Sequence, residues 1–525
     1  MSGTGAGDGA AAGETRQLNV ARIVEGHDPA TAAVISRNRT ITYGELSEQA
    51  ARLRGGLARL GVASGDRIAL ICGNGHPFVV AYLAALGLGA VVVPLNPTSP
   101  AAELERQLDT VRADTVVVDR SAIGWHDVDR ARLSSIREVV AVDTDVLEGA
   151  VPVDDLLTAE PLPVTNVDPD HLAVLMFTAG TAGAPRAAML THRNLLANLE
   201  QTRSTTRRVG PDDVVFGVVP LYHILGLNVV LGYSLSVGAT VLLVQRFDPA
   251  SAIDSIRTRR VTVIPGAPAM WVAFAEYEDA PADAFAGVRL ALSGAAKLPV
   301  SVAERIRDRF GVLVAEGYGL TEASPVVTTS AGLVPRFGSV GKVLAGVELR
   351  LVDDDGNDAL VGDVGQVWVR GDNVFAGYFD DPEATARVLT PDGWLRTGDL
   401  GMCDDDGWLY LVDRSKDLVI VSGFNVYPAE VEEALVHHPA VLEAGVTGVT
   451  DPATGEAIVA FVVREPGADV DADELIACAR ERLARYKCPS RVVFVDHLPR
   501  NSIGKLLRRE LVVWAVGVTA DAVDR

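Results

Sequence analysis

Two hydroxyls, several small residues and an arginine fall together in Thr178-Ala-Gly-Thr-Ala-Gly-Ala-Pro-Arg186. Small residues let a backbone approach a ligand closely, and its turned N–H groups make a concavity suited to an anion. Thr178 and Thr181 add hydroxyl donors, and Arg186 adds a forked cation that matches phosphate. These residue types suit a polyphosphate; a flexible surface loop of the same composition is the bland alternative. An apolar run at 172–177 leads in as a strand, and Thr191 opens a helix. The Walker pattern G-x-x-x-x-G-K-[ST] is absent from this stretch.

A second constellation reads Glu316-Gly-Tyr-Gly-Leu-Thr-Glu-Ala-Ser-Pro325, after a strand at 312–315. Glycines permit close approach, Tyr318 offers a flat ring to a base, and Thr321 can donate to a phosphate. Glu322 suits Mg²⁺, a hard cation that takes carboxylate and phosphate oxygens. Further on, Asp399 in Gly-Trp-Leu-Arg-Thr-Gly-Asp399 can accept from both hydroxyls of a ribose. His223 sits in Pro-Leu-Tyr-His-Ile-Leu-Gly226, beside apolar neighbours where a packed histidine is the ordinary outcome.

The first stretch is similar to the phosphate loop of the adenylate-forming superfamily, which includes acyl-CoA synthetases, peptide-synthetase adenylation domains and luciferases. It departs from the family pattern at Ala179, Ala182, Arg186 and Ala187, losing two hydroxyls and keeping the positive charge. The rest of the chain resembles the family in motif order. The resemblance implies that Ala179, Gly180, Ala182 and Gly183 join Thr178 and Thr181 around the phosphates, with Thr181 beside Glu322 at the metal. It implies Ala295, Ala296, Glu316, Gly317 and Gly319 on the nucleotide, and Gly294 and His223 lining the acid. Arg414 would meet the ribose and Lys416 would be the pivot of a domain rotation. Ser422 and Gly423, in Val421-Ser-Gly-Phe-Asn-Val-Tyr-Pro-Ala-Glu430, resemble the motif set against the pantetheine arm of coenzyme A. Lys505, in Pro-Arg-Asn-Ser-Ile-Gly-Lys505, would bridge the acyl carboxylate and the α-phosphate. Lys505, Glu322, Thr321 and Arg186 are then the catalytic set.

The implied activity is an AMP-forming acid–thiol ligase using ATP, Mg²⁺ and coenzyme A. The region after Pro220-Leu-Tyr-His223 is apolar, with Asn228 where an amino-acid-activating domain would place an aspartate, so a fatty or aromatic acid is expected. The compact 338–370 passage lacks extra sequence and favours coenzyme A over a carrier protein. Two alternatives stay open: an acyl-AMP ligase, and a homologue impaired by its altered loop. Each lost donor would cost on the order of 2–4 kcal/mol of transition-state stabilisation.

The elements that must position these residues follow from patterning. The chain has 525 residues, 48% hydrophobic and 22% charged, with net charge −22. That length calls for more than one core, and the charge argues against nucleic acid. Apolar strands at 67–71, 90–94 and 115–118 alternate with helices at 77–86 and 101–111, the pattern of a largely parallel sheet. A disordered tail is expected at 1–16, and the resemblance implies an α/β fold whose large domain at 17–415 consists of α/β subdomains plus a small β-barrel. A small mobile α+β domain follows at 416–525. Arg480, Arg482, Arg485, Lys487 and Arg491 make that last part locally basic; a helix's wet face is slightly favoured over a site for coenzyme A phosphates. The four cysteines show no metal spacing, so a reducing, cytoplasmic setting is expected. The uncharged stretch 225–244 reads as a buried helix running into a buried strand, with peripheral membrane contact and homodimerisation left as possible partners.

Overall fold

The computed structural model describes residues 18–37, 39–143, 149–178, 185–205, 208–295, 298, 300–353, 355–414, 419–426, 428–465, 467–499 and 508–520. The expected 1–16 tail lies outside them.

Two large sheets form the body. One has seven strands: Val151–Pro152, Glu138–Ala141, Thr115–Val118, Arg67–Ile71, Val91–Pro94, Leu172–Thr178 and Arg186–Thr191 in spatial order, all parallel except the last pair. Its inner strands, such as Val91–Pro94 and Thr115–Val118, are buried at every position, as β-branched runs covered on both faces should be. The other sheet has nine strands. Six neighbours in it are parallel: Val314–Gly319, Leu290–Ser293, Val263–Gly266, Val214–Gly217, Thr240–Leu243 and Ala32–Ser36. Antiparallel strands Val326–Thr329 and Arg39–Thr42 flank them.

The helix His76–Gly87 is buried at all ten positions from Phe78 to Gly87, which marks it as an interior helix rather than an amphipathic surface one. It shares one core with Val92 and Val117 of the seven-stranded sheet and Val215 and Val241 of the nine-stranded sheet. Tyr43–Arg59 starts at a capping box between Thr42 and Glu45. His192–Arg203 starts at a second one between Thr191 and Asn194. Each cap stabilises its helix by about 1 kcal/mol.

Two expectations need refinement. Residues 225–244 do form a buried helix and strand, yet Leu225–Tyr233 is a π-helix, followed by Ser234–Ser236 and the strand Thr240–Leu243. Apolar periodicity does not separate α from π winding. Among the described residues no helix is long and apolar enough to cross a membrane. The region expected as a small barrel is a four-stranded antiparallel sheet, Glu348–Val352, Gly365–Arg370, Leu395–Cys403 and Leu409–Arg414. Its last strand also bonds to the main body through Leu409, whose N–H donates to Gly341 and whose carbonyl accepts from Val340.

The C-terminal domain has a five-stranded sheet, with helices Pro428–Val436, Ala472–Arg480 and Arg508–Ala520. Its own cores gather Val431, Leu435 and Leu475 in one cluster, and Phe461, Leu498 and Leu511 in another.

Candidate active site

Thr178 ends one strand and pairs directly with Arg186 on the next. Leu172–Thr178 and Arg186–Thr191 are therefore antiparallel partners, the second a strand that the sequence reading did not contain, lying ahead of the helix that Thr191 opens. Ala179, Gly180, Thr181, Ala182 and Gly183 lie outside the described residues. Arg186 is held from behind. Its Nε donates to Asp381 Oδ2 at 2.8 Å, and its guanidinium lies 5.7 Å from the centroid of the Tyr378 ring. Asp381 also caps Pro382–Val388 by accepting from the Ala384 N–H. That amide, followed by Arg186, holds the Asp381 carboxyl below its ordinary range. The Tyr378 hydroxyl donates to Glu322 Oε1 at 2.8 Å. Asp381 and Tyr378 were not anticipated, and nothing in their local sequence sets them apart from turn residues.

The second motif occupies Val314–Gly319 and the turn Thr321–Ala323. Gly319 is required by space, since a Cβ there would stand 2.1 Å from the Pro325 carbonyl. Glu316 is buried and accepts from the Leu298 N–H at 3.2 Å. The Tyr318 hydroxyl donates to Asp399 Oδ2 at 2.6 Å. Asp399, 5% exposed, is thus brought from the antiparallel sheet onto the second motif. Asp399 pairs in register with Arg414, so the backbone brings those two positions together. Ala296, Lys416 and Lys505 lie outside the described residues.

Two cavities open on this constellation. The first is apolar, roughly 1170 Å³ measured out to open solvent. It runs between the π-helix and the nine-stranded sheet, past Leu225, Val229, Gly266, Gly294 and Tyr318, and among the described residues no Asp, Glu, Lys or Arg lines it. The second holds Asn96, Glu103, Thr178, Glu322, Tyr486 and Lys487. His223, Leu320 and Thr321 line both. Burial lowers the His223 pKa to about 4, so the ring is neutral near pH 7. Its Nδ1 accepts from the Leu225 N–H at 3.2 Å, which assigns the proton of the neutral ring to Nε2.

The C-terminal domain closes over both. Gly423 reaches the wall of the apolar cavity, where an added Cβ would lie 3.1 Å from Ala267 Cβ and 3.5 Å from Ala295 Cβ. Ser422 and Gly423 both have left-handed backbone, φ 52° and 82°. Phe424 meets the His223 ring edge-on at 5.9 Å and stacks on Tyr486 at 4.3 Å. Behind them Lys487 Nζ bonds Glu103 Oε1 and Glu430 Oε1, each at 2.9 Å. All three side chains are at most 7% exposed. Glu103 Oε2 also accepts from the Ala484 N–H at 3.0 Å. Burial raises the Glu430 pKa against the pull of Lys487. Burial opposes the Lys487 charge, and Glu103 and Glu430 outweigh it. The wet-face reading is therefore corrected for Lys487: it faces Glu103 across the domain interface, while Arg480 and Arg485 are exposed.

Comparison with known proteins agrees with this geometry. The AMP-binding enzyme family model matches residues 21–379, and the model of the AMP-binding enzyme C-terminal domain matches 430–505. A long-chain-fatty-acid–CoA ligase from Bacillus subtilis (strain 168) is 35% identical over 92% of each chain. A feruloyl-CoA synthase from Amycolatopsis sp is 37% identical over 92% of this chain and 96% of its own. The solved o-succinylbenzoate CoA synthetase from Bacillus subtilis, bound with a product analogue, superposes with TM-score 0.84 at 32% identity, covering 94% of this chain and 98% of that one. ATP and coenzyme A are the substrates of such ligases. The chain belongs to the AMP-binding enzyme family, in the acyl-CoA synthetase branch of the adenylate-forming superfamily.

Proposed function

We propose that the protein joins a fatty or aromatic carboxylic acid to coenzyme A by way of an acyl-adenylate. The observation that carries this reading is the uncharged apolar cavity that meets Gly294, Thr321 and the docked Gly423 at one end. In the first step an acid oxygen attacks the α-phosphorus of ATP, and the phosphorus–oxygen bond to pyrophosphate breaks. A carboxylate is already nucleophilic, so the protein's task is to align the reactants and neutralise charge. Thr178, Thr181 and the loop amides would hold the phosphates, and Lys505 would bridge the two reacting groups. Asp399 and Arg414 would hold the ribose, with Tyr318 fixing the Asp399 carboxylate through the 2.6 Å bond.

Mg²⁺ is usually bound by one or two carboxylates together with substrate phosphates. Of the two carboxylates lining the polar cavity, Glu103 is taken up by Lys487, while Glu322, oriented by Tyr378, fits that donor set and would place the cation's charge against the phosphates. In the second step the coenzyme A sulfur attacks the acyl carbon. The carbon–oxygen bond to AMP breaks, and the thiol proton leaves to solvent. The position of Gly423 on the acyl cavity corresponds to this second step, reached by rotation about Lys416 between domains at 17–415 and 416–525.

The test is pyrophosphate release from MgATP with fatty and aromatic acids, with and without coenzyme A. Thioester product that disappears in Lys505→Ala is expected. Pyrophosphate without thioester would replace coenzyme A by a carrier-bound thiol, and no acid-dependent release would overturn the reading.

A further inference from the structure

The turn that carries Thr321 and Glu322 is held mostly from outside. Ser324 has left-handed backbone there, φ 69°, a conformation that a serine keeps only where its surroundings over-determine it. Every carbonyl from 321 to 326 has a donor. Within the turn, Thr321 accepts from the Ser324 N–H and Pro325 from the Leu320 N–H. The others accept from elsewhere. Glu322 takes the Phe375 N–H at 2.9 Å, Ala323 takes Asn373 Nδ2 at 2.9 Å, Ser324 takes Asn228 Nδ2 at 2.7 Å, and Val326 takes Asn198 Nδ2 at 2.8 Å.

Asn198, Asn228 and Asn373 are all fully buried and come from separate parts of the chain. Asn198 lies on His192–Arg203. Gln201 of the same helix joins it to Asn373, accepting from Asn198 Nδ2 and donating to Asn373 Oδ1, each at 3.1 Å. Asn228 stands apart from this run of amides. It sits in the π-helix, where Leu225 and Val229 line the acyl cavity. Its own side chain lines neither cavity. Nδ2 donates instead to the Ser324 carbonyl and, at 3.2 Å, to the Leu195 carbonyl. Two carbonyl partners fix which end of the amide is the nitrogen. Gly232, four residues on, leaves room for it, since a Cβ there would stand 2.9 Å from Asn228 Oδ1.

We propose that Asn228 is a positioning residue for adenylation: it ties the wall of the acyl cavity to the turn that bears Thr321 and Glu322, and so sets the Glu322 carboxylate in place for the cation and the phosphates. Without this bond a strained turn loses one of its outside holds, while the contacts that seat the acid remain. The loss therefore falls on the reacting geometry and on the cation, and not on the binding of the acid. The inference rests on the ligase reading above, because it takes Glu322 as the carboxylate beside the phosphates.

The test is Asn228→Leu, which keeps the bulk and removes the donor. Acid-dependent pyrophosphate release should fall about tenfold in kcat, with KM for the acid within about twofold, and the Mg²⁺ needed for half-maximal rate should rise severalfold. Calorimetry reads the same change without turnover: MgATP binds severalfold more weakly, and ATP without Mg²⁺ binds as in the unaltered protein. Gly232→Ala crowds the Asn228 amide instead of deleting it. Alanine suits a helix better than glycine, so a smaller shift in the same direction there is not a loss of helix stability. Amide hydrogen exchange at 320–326 should quicken in both variants. Thr240→Val removes a buried 2.7 Å bond to the Ala32 carbonyl and lines neither cavity; it measures lost stability alone and should leave the Mg²⁺ dependence where it was. If Asn228→Leu moves the Mg²⁺ dependence no more than Thr240→Val does, or if exchange at 320–326 is unchanged in both Asn228→Leu and Gly232→Ala, the inference is overturned. Weaker MgATP binding and faster exchange in a protein that releases no pyrophosphate with any acid would keep the tie and sink the ligase reading.

Discussion

The two cavities meet at His223, Leu320 and Thr321 and are opposite in chemistry. The apolar one is walled by a helix and strands of the large domain, with Gly423 the one C-terminal-domain residue on its wall among the described residues. The polar one is walled partly by Phe424, Tyr486 and Lys487 of that domain, so it exists in this form only while the domains are docked. One cavity is a fixed mould; the other is an assembled state. Changes on one side should therefore alter which acid is used, and changes on the other should alter which half-reaction proceeds.

The largest expected effect comes from Lys487→Met. It leaves Glu103 and Glu430 buried without their shared cation, and breaking a buried pair in this way costs on the order of 3–5 kcal/mol. Thioester formation from preformed adenylate should fall by roughly a hundredfold or more, while acid-dependent pyrophosphate release falls far less. Equal losses in both steps would mean that the buried triad does not distinguish the docked state.

An intermediate effect is expected on the shared wall. The His223 pKa is about 4 in the folded protein, against about 6.5 for an unfolded chain. As pH falls below about 6.5 the unfolded state takes up the proton first, so stability is lost between that pH and about 4, then levels. Urea unfolding across this window should fall more steeply for the native protein than for His223→Phe. His192, lowered to about 3, and His76, lowered to about 4, act in both proteins and cancel in the difference. Parallel profiles would show that the imidazole is not desolvated.

The smallest effect is Gly423→Ala. The added methyl meets Ala267 at 3.1 Å on left-handed backbone, a strain of about 1–2 kcal/mol. Thioester formation should slow by about fivefold to tenfold, with adenylation unchanged. A slowing of adenylation alone would place Gly423 on the wrong half-reaction.

Much of this was legible locally. The helix start at Thr191, the valine-rich parallel strands and the Glu316–Pro325 motif all announce themselves within a few residues, because hydrogen bonding and burial there act along short stretches of chain. Other features depend on distant partners. Glu103 looks like any polar residue of an amphipathic helix until it meets Lys487, 384 positions away. Lys487 itself belongs to a basic run whose ordinary fate is solvent. The Tyr318–Asp399 bond joins two motifs that were each readable, but their contact crosses from one sheet to another. The hairpin behind Thr178 was missed because Ala187 and Ala188 have weak strand preference, and pairing with 172–178 overrides it.

The π-helix gives the acid cavity an unusual kind of adjustability. Each π turn holds about one residue more than the α turn it replaces. Deleting a single codon within Leu225–Tyr233 would let one turn tighten to α-helical winding, so that the residues on either side keep their facing while the lining side chains within that turn are exchanged. Inheritance of a new substrate range could then proceed by a one-residue change in length, in one step, where point substitution would have to replace each lining residue in turn.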